Sequence, residues 1–450
     1  MAYVTTANVA EESKITSYQW LCLLSAFAGW MFDSMDLNLF TLVLFPSVAS
    51  LTKLTNPAEI ARFGGYIMAI KLLCWGLGGI LFGVVADRFG RSRTMVITIV
   101  IYAVFTGLSG LAQSWIQLAV LQAIAGFGIG GEWAAGASLI AESWPEKHRA
   151  RAMQIMQMAF AFGFFAAAID NLLLGPISWR WVLAAGALPA ALSLLIRFFV
   201  PEPDRWVAVR KRDAGTTAGQ TFAAIFKPNM RRRTIVGAIV ASSVMIGCWG
   251  GLTLLPSWIQ QLVRASGGTN GVSMISYAFM LMMVGAALGY ASLIWITDWL
   301  GRRGAYFIFN ICALASSLYL FWFVTDLPTL LWFMLIYGYF VIGGFGTFAV
   351  YLPELFPTRV RATGQGFCWN AARCATAIGP LIAGWLVAEF GSFPAAAAAI
   401  SFAYVIGAVV IWFGPETLGA PLEDRSRKTA RRIAAGPPIP DRGLRRPPDG

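Results

Sequence analysis

The stretch ADRFGRSR at residues 86–93 returns as TDWLGRRG at residues 297–304, which aligns Asp87 with Asp298. The two copies lie 211 residues apart in a chain of 450 residues. Each copy joins a long apolar segment to the next one through a short, basic, glycine-containing turn. A motif that recurs at such a spacing predicts two structurally equivalent halves.

Two further landmarks repeat in the same order. ESWPEKHRARA at 142–152 returns as ELFPTRVRATG at 354–364, and PEPDRW from residue 201 is echoed by PETLG from residue 415. The offsets are 212 and 214 residues, close to the first one. The repeat therefore extends over most of each predicted half.

The composition is that of a membrane protein, because 58% of the residues are hydrophobic, only 12% are charged and the mean hydropathy is +0.66. Apolar runs of about 20 residues, enough to cross a bilayer, recur along nearly the whole length. We predict an all-α integral membrane protein with twelve transmembrane helices in two pseudo-symmetric six-helix bundles. The predicted spans cover 19–48, 62–85, 94–113, 115–140, 151–174, 180–199, 234–262, 273–297, 304–325, 328–352, 362–388 and 393–413.

The positive charges fall almost entirely on one side of this topology. Of the 34 lysines and arginines, 27 lie in the two tails and the alternate loops that share their side, 4 lie in the opposite loops and 3 lie within spans. The positive-inside rule predicts that both termini are cytoplasmic and that the protein sits in the cell membrane. The net charge of +12 is then explained by topology and anionic lipid headgroups, and nucleic acid is not expected as a partner.

Four regions follow from the pattern: a first bundle at 1–200, a cytoplasmic linker at 201–233, a second bundle at 234–414 and a basic, disordered tail at 415–450. The six cysteines lie in apolar segments without CxxC spacing, and His148 is the only histidine. We therefore expect no metal site and no cofactor. A monomer is expected.

Two carboxylates lie in the first predicted span. Asp33 and Asp36 share one helix face, roughly 20 to 25 Å above the cytoplasmic end of the span. Lys71 in the second span lies at about the same height, some 24 Å above Asp87. Ionisable groups at this depth are costly unless paired or functional. The aspartates are candidates for proton coupling or gating, and the alternative is a structural ion pair with Lys71.

Two further spans carry candidate residues near the membrane centre. Glu132 is a third candidate for proton coupling, or else a hydrogen-bonded packing residue. Arg373 lies about 18 Å into its span, and its planar guanidinium suits a carboxylate. We expect Arg373, with Asn370 one turn away and Lys71, to bind the substrate carboxylate; an internal salt bridge is the alternative for Arg373.

These motifs resemble a known family. GVVADRFGRSR and its second copy resemble the signature between helices 2 and 3 of the major facilitator superfamily, and PEPDRW and PETLG resemble markers that end its sixth and twelfth helices. GFGIGGEWAAGASLIAESWP at 126–145 and YLPELFPTRVRATGQG at 351–366 are similar to sialate:proton, lactate-type carboxylate:proton and aromatic-acid:proton symporters. Gln122 stands where many relatives have an arginine, so no role of that arginine is transferred.

The resemblance implies two halves around one midplane site and an inner gate of charged loop residues. Asp87 and Asp298 are placed to satisfy the amides that start the following helix, and the arginines to pair with Glu142 and Glu354. Solvated turn charges that hold the topology are the alternative. The gate candidates are Asp87, Arg88, Arg91, Glu142, Arg149, Asp298, Arg302, Arg303, Glu354 and Arg361.

The function expected from these features is secondary transport without enzymatic activity. Buried acids and a midplane arginine favour proton-coupled uptake of a small organic anion, such as a monocarboxylate, an aromatic acid or sialic acid, by alternating access. A sugar or polyol facilitator and a drug:proton exporter are the alternatives within the superfamily. A nutrient sensor that binds its cargo without transporting it is the alternative from another class.

Overall fold

The computed structural model describes residues 15–187, 200–212, 217–268, 271–376, 386–387 and 389–419, and the regular structure of these residues is helical. The helices are α1 (Ser17–Thr52), α2 (Pro57–Phe89), α3 (Arg91–Ser109), α4 (Trp115–Ser143), α5 (Glu146–Leu174), α6 (179–187), α7 (Asp204–Arg212), α8 (Ala218–Ala224), α9 (Pro228–Ala265), α10 (Gly271–Trp299), α11 (Gly301–Phe323), α12 (Leu327–Tyr337), α13 (Phe345–Leu355), α14 (Arg361–Thr376), α15 (Phe393–Ser401) and α16 (Ala403–Val410).

The predicted membrane architecture is confirmed. Within the described residues, ten segments are long and apolar enough to cross a membrane. The other two predicted spans, 180–199 and 362–388, extend into residues outside the described ranges, as does the predicted disordered tail beyond residue 419. The protein is a multi-pass membrane protein.

Polar side chains fix where several helices begin. Ser114 accepts a hydrogen bond from the amide of Gln117 at 3.2 Å, and Asp326 accepts one from the amide of Thr329 at 3.0 Å. Each side chain satisfies an amide that has no partner within its own helix. The hydrogen bond to Thr329 lowers the pKa of the Asp326 carboxyl.

The two halves meet closely where α2 packs against α14. A side-chain carbon at Gly79 would collide with the Asn370 side chain, and one at Gly83 would lie 2.6 Å from the Ala362 carbonyl oxygen. Glycine at these two positions therefore allows the helix backbones to approach.

The tenth predicted span, 328–352, was expected to be one continuous helix, and the structure shows it interrupted. A π-helical turn at Gly338–Ile342 and two glycines, Gly343 and Gly344, separate α12 from α13. Glycine disfavours a continuous helix, and π turns often mark functional sites. Ile342, the last residue of the π-helical turn, and Phe345, the first residue of α13, line the central cavity.

Candidate substrate cavity and gate

A cavity of about 70 Å³ lies between the two halves. Its wall is mainly aromatic and aliphatic and includes four tryptophans, Trp30, Trp75, Trp249 and Trp369. Arg373 is the one charged side chain among the described residues that line it. A concave, largely apolar chamber with few polar groups is typical of a small-molecule site.

Arg373 is held by its neighbours on α2 and α14. Its guanidinium carbon lies 3.7 Å from the centroid of the Trp75 ring, and its Nη1 donates to Asn370 Oδ1 at 2.9 Å. Asn370 is buried and is not among the residues that line the cavity. The structure thus brings both predicted residues together, with Asn370 orienting Arg373 from behind.

Lys71 and Asp36 form a buried ion pair between α2 and α1. Lys71 Nζ lies 3.1 Å from Asp36 Oδ2, the side chains are 0% and 2% exposed, and the ammonium lies 4.8 Å from the centroid of the Phe40 ring. Neither residue lines the cavity in the described structure. Lys71, a predicted substrate ligand, is engaged by Asp36, and such a pair is costly to break from one side.

Asp33 is the fourth charged residue of this region, beside Arg373, Lys71 and Asp36. Its side chain is buried on α1, three residues before Asp36, and it acts electrostatically on Arg373 across the interface between the halves. When all four groups are ionised, the two cations and the two carboxylates sum to zero. The cavity therefore lies beside a buried, charge-balanced set.

Glu132 and Gln122 of α4 both contact α3, and neither lines the cavity. Glu132 Oε2 accepts a hydrogen bond from Thr98 at 3.0 Å, and Gln122 Nε2 donates to Ser109 Oγ at 2.9 Å. The next residue, Trp133, stacks on the cavity residue Trp369 with ring centroids 4.3 Å apart. Glu132 could therefore affect the cavity only through its neighbours.

The first copy of the repeated motif joins the two halves. Arg91 binds Glu142 through Nε and Nη2 at 3.0 and 2.8 Å, and its Nη2 also lies 2.9 Å from Asp87 Oδ1 and donates to the Thr358 carbonyl. Arg361 of the second half donates to Glu142 Oε1 at 2.8 Å. These contacts close the side of the protein that carries the motif, which we call the gate side.

The predicted capping role of Asp87 is wrong. Asp87 accepts hydrogen bonds from the amides of Ala362 and Thr363 at 3.2 and 2.7 Å, which start α14 in the other half. The start of α3 is satisfied by Glu202, whose Oε2 accepts from the Arg91 amide at 2.7 Å. Asp87 lies at the end of α2, where that helix meets α14, so its carboxylate reaches across the interface.

Glu416 occupies the equivalent place in the second half, so Asp298 does not cap its following helix either. Glu416 accepts from the amides of Arg302 and Arg303 at 2.9 and 3.1 Å. Burial raises the pKa of the Glu416 carboxyl, but hydrogen bonds from four backbone amides outweigh burial and leave the pKa below its usual value. The glutamates of PEPDRW and PETLG are thus helix caps.

The second copy of the motif makes its contacts within its own half. Arg302 lies 3.3 Å from both Glu354 and Asp298, and Thr417 Oγ1 donates to Glu354 at 2.6 Å. The Asp298 side chain is 41% exposed, whereas that of Asp87 is 1% exposed.

Three other gate candidates lie at the edge of this network. Arg303 Nε lies 3.6 Å from Glu416. Arg149 is buried and acts on Glu354 electrostatically, and its Nε has no hydrogen-bond partner among the described residues. Arg88 lies with its guanidinium carbon 5.9 Å from the Phe89 ring centroid and forms no ion pair with a described carboxylate.

Four important residues were not singled out from the sequence. Trp75 follows Lys71 by four positions and Trp369 precedes Arg373 by four, so each shares a helix face with a charged candidate. Glu202 and Glu416 stand at matching places in the third repeated landmark. Helical spacing and the repeat were signals that could have identified them.

Two helical halves around a central cavity, with a charged network joining them on one side, are the arrangement found in secondary transporters. The family model described as Major Facilitator Superfamily matches residues 19–374. The chain belongs to the major facilitator superfamily and is a transport protein, not an enzyme.

Relatives and solved structures agree with this membership. The chain is 31% identical to a protein of Cupriavidus pinatubonensis named "Probable 4-methylmuconolactone transporter", over 92% of this chain and 94% of the relative. It is 30% identical to the cis,cis-muconate transport protein of Acinetobacter baylyi, over 89% and 95%. The structure of the proton:xylose symporter XylE superposes with a TM-score of 0.75 at 20% identity, covering 90% of this chain and 98% of XylE.

Proposed function

We propose that the protein is a proton-coupled symporter that takes up a small organic anion by alternating access. The observation that carries the proposal is the position of Arg373, the one cation among the described residues of an apolar cavity wall and a member of a charge-balanced set of buried groups. The gate side is, in this proposal, the cytoplasmic side.

Charge balance supplies the physical reason for proton coupling. An organic carboxylate that enters the cavity adds one negative charge to a region whose four ionised groups already sum to zero. An unbalanced charge in an apolar environment is costly, and a proton taken up with the anion removes that cost. Anion and proton therefore favour each other's binding.

Asp33 is the proposed proton acceptor. Asp36 is already engaged by Lys71, whose Nζ lies 3.1 Å from its Oδ2. Asp33 instead interacts with Arg373. When the substrate carboxylate neutralises Arg373, Asp33 loses a stabilising positive charge and accepts a proton more readily.

Alternating access is supported by the unequal closure of the two sides. The gate side is closed by buried ion pairs and hydrogen bonds between the halves. At the opposite end of the cavity, Phe164 of α5 and Phe279 of α10 stack with centroids 6.3 Å apart. Two apolar rings separate at lower cost than a buried charge network does, so we propose that this end opens first.

The names of the relatives support an organic anion. Two proteins that match nearly the full length are named as transporters of 4-methylmuconolactone and cis,cis-muconate. Muconate is a dicarboxylate, so that name supports an organic anion and does not fix the number of carboxylates. The proposed class includes aromatic acids, monocarboxylates and sialic acid.

The test is uptake of radiolabelled 4-hydroxybenzoate into proteoliposomes, with the passive signal of protein-free vesicles subtracted. An inward proton gradient should drive the label above its external concentration. Uptake that ignores the gradient would contradict proton coupling. No specific uptake of this or any other carboxylate, together with uptake of a neutral sugar, would contradict the anion assignment.

A substitution separates coupling from binding. Asp33→Asn should abolish concentrative uptake and preserve counterflow exchange, because exchange returns a loaded carrier without net proton movement. The control is Asp170→Asn, which removes a partly buried acid of α5 that does not line the cavity. Loss of both activities in Asp33→Asn at an unchanged melting temperature would assign Asp33 to substrate binding.

A further inference from the structure

We infer that the cavity selects planar, conjugated acids with a single carboxylate, and that Trp75 and Trp369 determine this preference. The inference rests on the proposed function and narrows its substrate class. It distinguishes a flat monoacid from a flexible acid, from a polyhydroxylated acid and from a diacid.

The first argument is the shape of the wall around Arg373. Trp75 stacks on the guanidinium at 3.7 Å, and Trp369 lies 5.7 Å from it by the same measure. Trp369 is itself fixed from behind by Trp133, with the two rings 11° from parallel. The carboxylate that pairs with Arg373 is therefore placed between rigid indole rings. A substrate whose carbon skeleton continues the plane of its carboxylate can stack on them.

The second argument is the number of cations. Lys71 is bound to Asp36 and lies off the cavity wall, which leaves Arg373 as the one charged group among the described lining residues. A second carboxylate on the substrate would lose its hydration without gaining a partner of opposite charge. The cavity therefore favours monoacids.

The third argument is the small number of hydrogen-bonding groups. Besides Arg373, the polar groups on the described wall are the side chains of Asn38, Gln157 and Tyr290 and the indole N–H donors of the four tryptophans, two of which, in Trp30 and Trp369, have no hydrogen-bond partner among the described residues. Gln157 already accepts a hydrogen bond from the Trp133 indole at 3.1 Å. A polyhydroxylated acid such as sialic acid would bury many hydroxyl groups without partners.

The test compares four acids, three of which have six carbon atoms. Sorbate is planar with one carboxylate, hexanoate is flexible with one carboxylate, trans,trans-muconate is planar with two, and sialic acid is polyhydroxylated. The purified protein is titrated with each acid, and the rise in melting temperature gives the relative affinity. Sorbate should bind about threefold to tenfold more tightly than hexanoate and at least about tenfold more tightly than muconate or sialic acid.

Substitutions locate the preference. Trp75→Leu should bring the affinities for sorbate and hexanoate close together, whereas Trp75→Phe should retain most of the difference. If Trp75 only maintained the structure, its replacement would lower the affinities for both acids equally and leave the ratio of those affinities unchanged. Trp332→Leu removes a tryptophan whose side chain is 72% exposed on α12 and should keep the wild-type ratio.

The outcomes separate this inference from the proposed function. Equal affinity for sorbate and hexanoate would overturn the planar preference while leaving anion binding intact. Muconate binding as tightly as sorbate would overturn the single-carboxylate preference. Failure of all four acids to raise the melting temperature, with a rise produced by a neutral sugar, would reject the organic-anion function itself.

Discussion

The two copies of the repeated motif are alike in sequence and differ in what they bind. In the first half, Asp87 is 1% exposed and accepts hydrogen bonds from amides of the other half. In the second half, Asp298 is 41% exposed and, within the described part of the chain, forms an ion pair with Arg302 of the same half. The first copy of the motif connects the two halves, whereas the second copy forms its ion pairs within its own half.

The charged residues on and beside the cavity wall also differ between the halves. The first half supplies the two aspartates of α1 and the lysine of α2, and the second half supplies Arg373. The two halves therefore share a motif and carry different charged residues around the cavity. This difference between Asp87 and Asp298 matters for transport. If both aspartates bound the opposite half, the state closed on the gate side would be more stable.

The largest expected difference between the halves comes from neutralising the two aspartates. Asp87→Asn removes a buried charge from a network with Arg91 and the start of α14, which should weaken closure by about 3 kcal/mol. Asp298→Asn should cost less than about 1 kcal/mol, because its carboxylate is partly solvated. Asp87→Asn should therefore populate a state that is open on the gate side.

This opening can be measured as the distance between spin labels at positions 147 and 359, which are equivalent in the repeat, in a variant without the six native cysteines. A longer distance in Asp87→Asn alone supports the comparison. The same distance distribution in both variants would show that the two copies contribute equally.

A smaller difference is expected between Gly90, which precedes α3, and Gly301, the first residue of α11. Gly90 has φ 115° and ψ 154°, a conformation essentially restricted to glycine, and a side-chain carbon there would collide with Glu202. Gly301 has φ 74°, and its added carbon would lie 2.8 Å from Glu416.

Gly90→Ala should therefore destabilise the protein by about 2 to 3 kcal/mol, and Gly301→Ala by about 1 kcal/mol. Thermal unfolding in detergent measures both. Gly219→Ala is a suitable control, since its added carbon meets nothing within 4 Å. Equal losses at Gly90 and Gly301 would mean that the two caps are equally strained.

The smallest expected effect is the pH dependence of the Glu416 cap. Hydrogen bonds from backbone amides hold its folded-state pKa below the ordinary value of 4.5. The ionised cap therefore stabilises the fold fully above about pH 5, and this contribution disappears as the pH falls through the folded-state pKa. The melting-temperature gap between wild type and Glu416→Gln should be constant above pH 5 and should narrow below pH 4.5. A constant gap down to pH 3.5 would exclude the carboxylate as its source.

Sequence features were sufficient to predict the fold and the height of residues, but not their rotation about the helix axis. The repeat predicts two halves, and axial rise places Lys71 level with Asp36, to which it is joined at 3.1 Å. Which way each side chain faces depends on packing against neighbouring helices. For that reason the partner of Glu132 on α3 and the exclusion of Lys71 from the cavity wall were not predicted.

Contacts between the two halves were also not predicted from the sequence. Asp87 was expected to cap the next helix in sequence, because local rules consider only neighbours along the chain. Its amide partners lie 275 and 276 residues away. The ring that stacks on Arg373 likewise comes from Trp75, on a helix of the opposite half.

The central claim, that an anion enters a charge-balanced site together with a proton, is tested most directly by counting protons on binding. Calorimetric titration of sorbate into the purified protein at pH 7.5, in two buffers with different ionisation enthalpies, measures that number without a membrane. The account predicts uptake of about one proton per bound sorbate in the wild type and none in Asp33→Asn. Sorbate binding with no proton uptake in the wild type would contradict it.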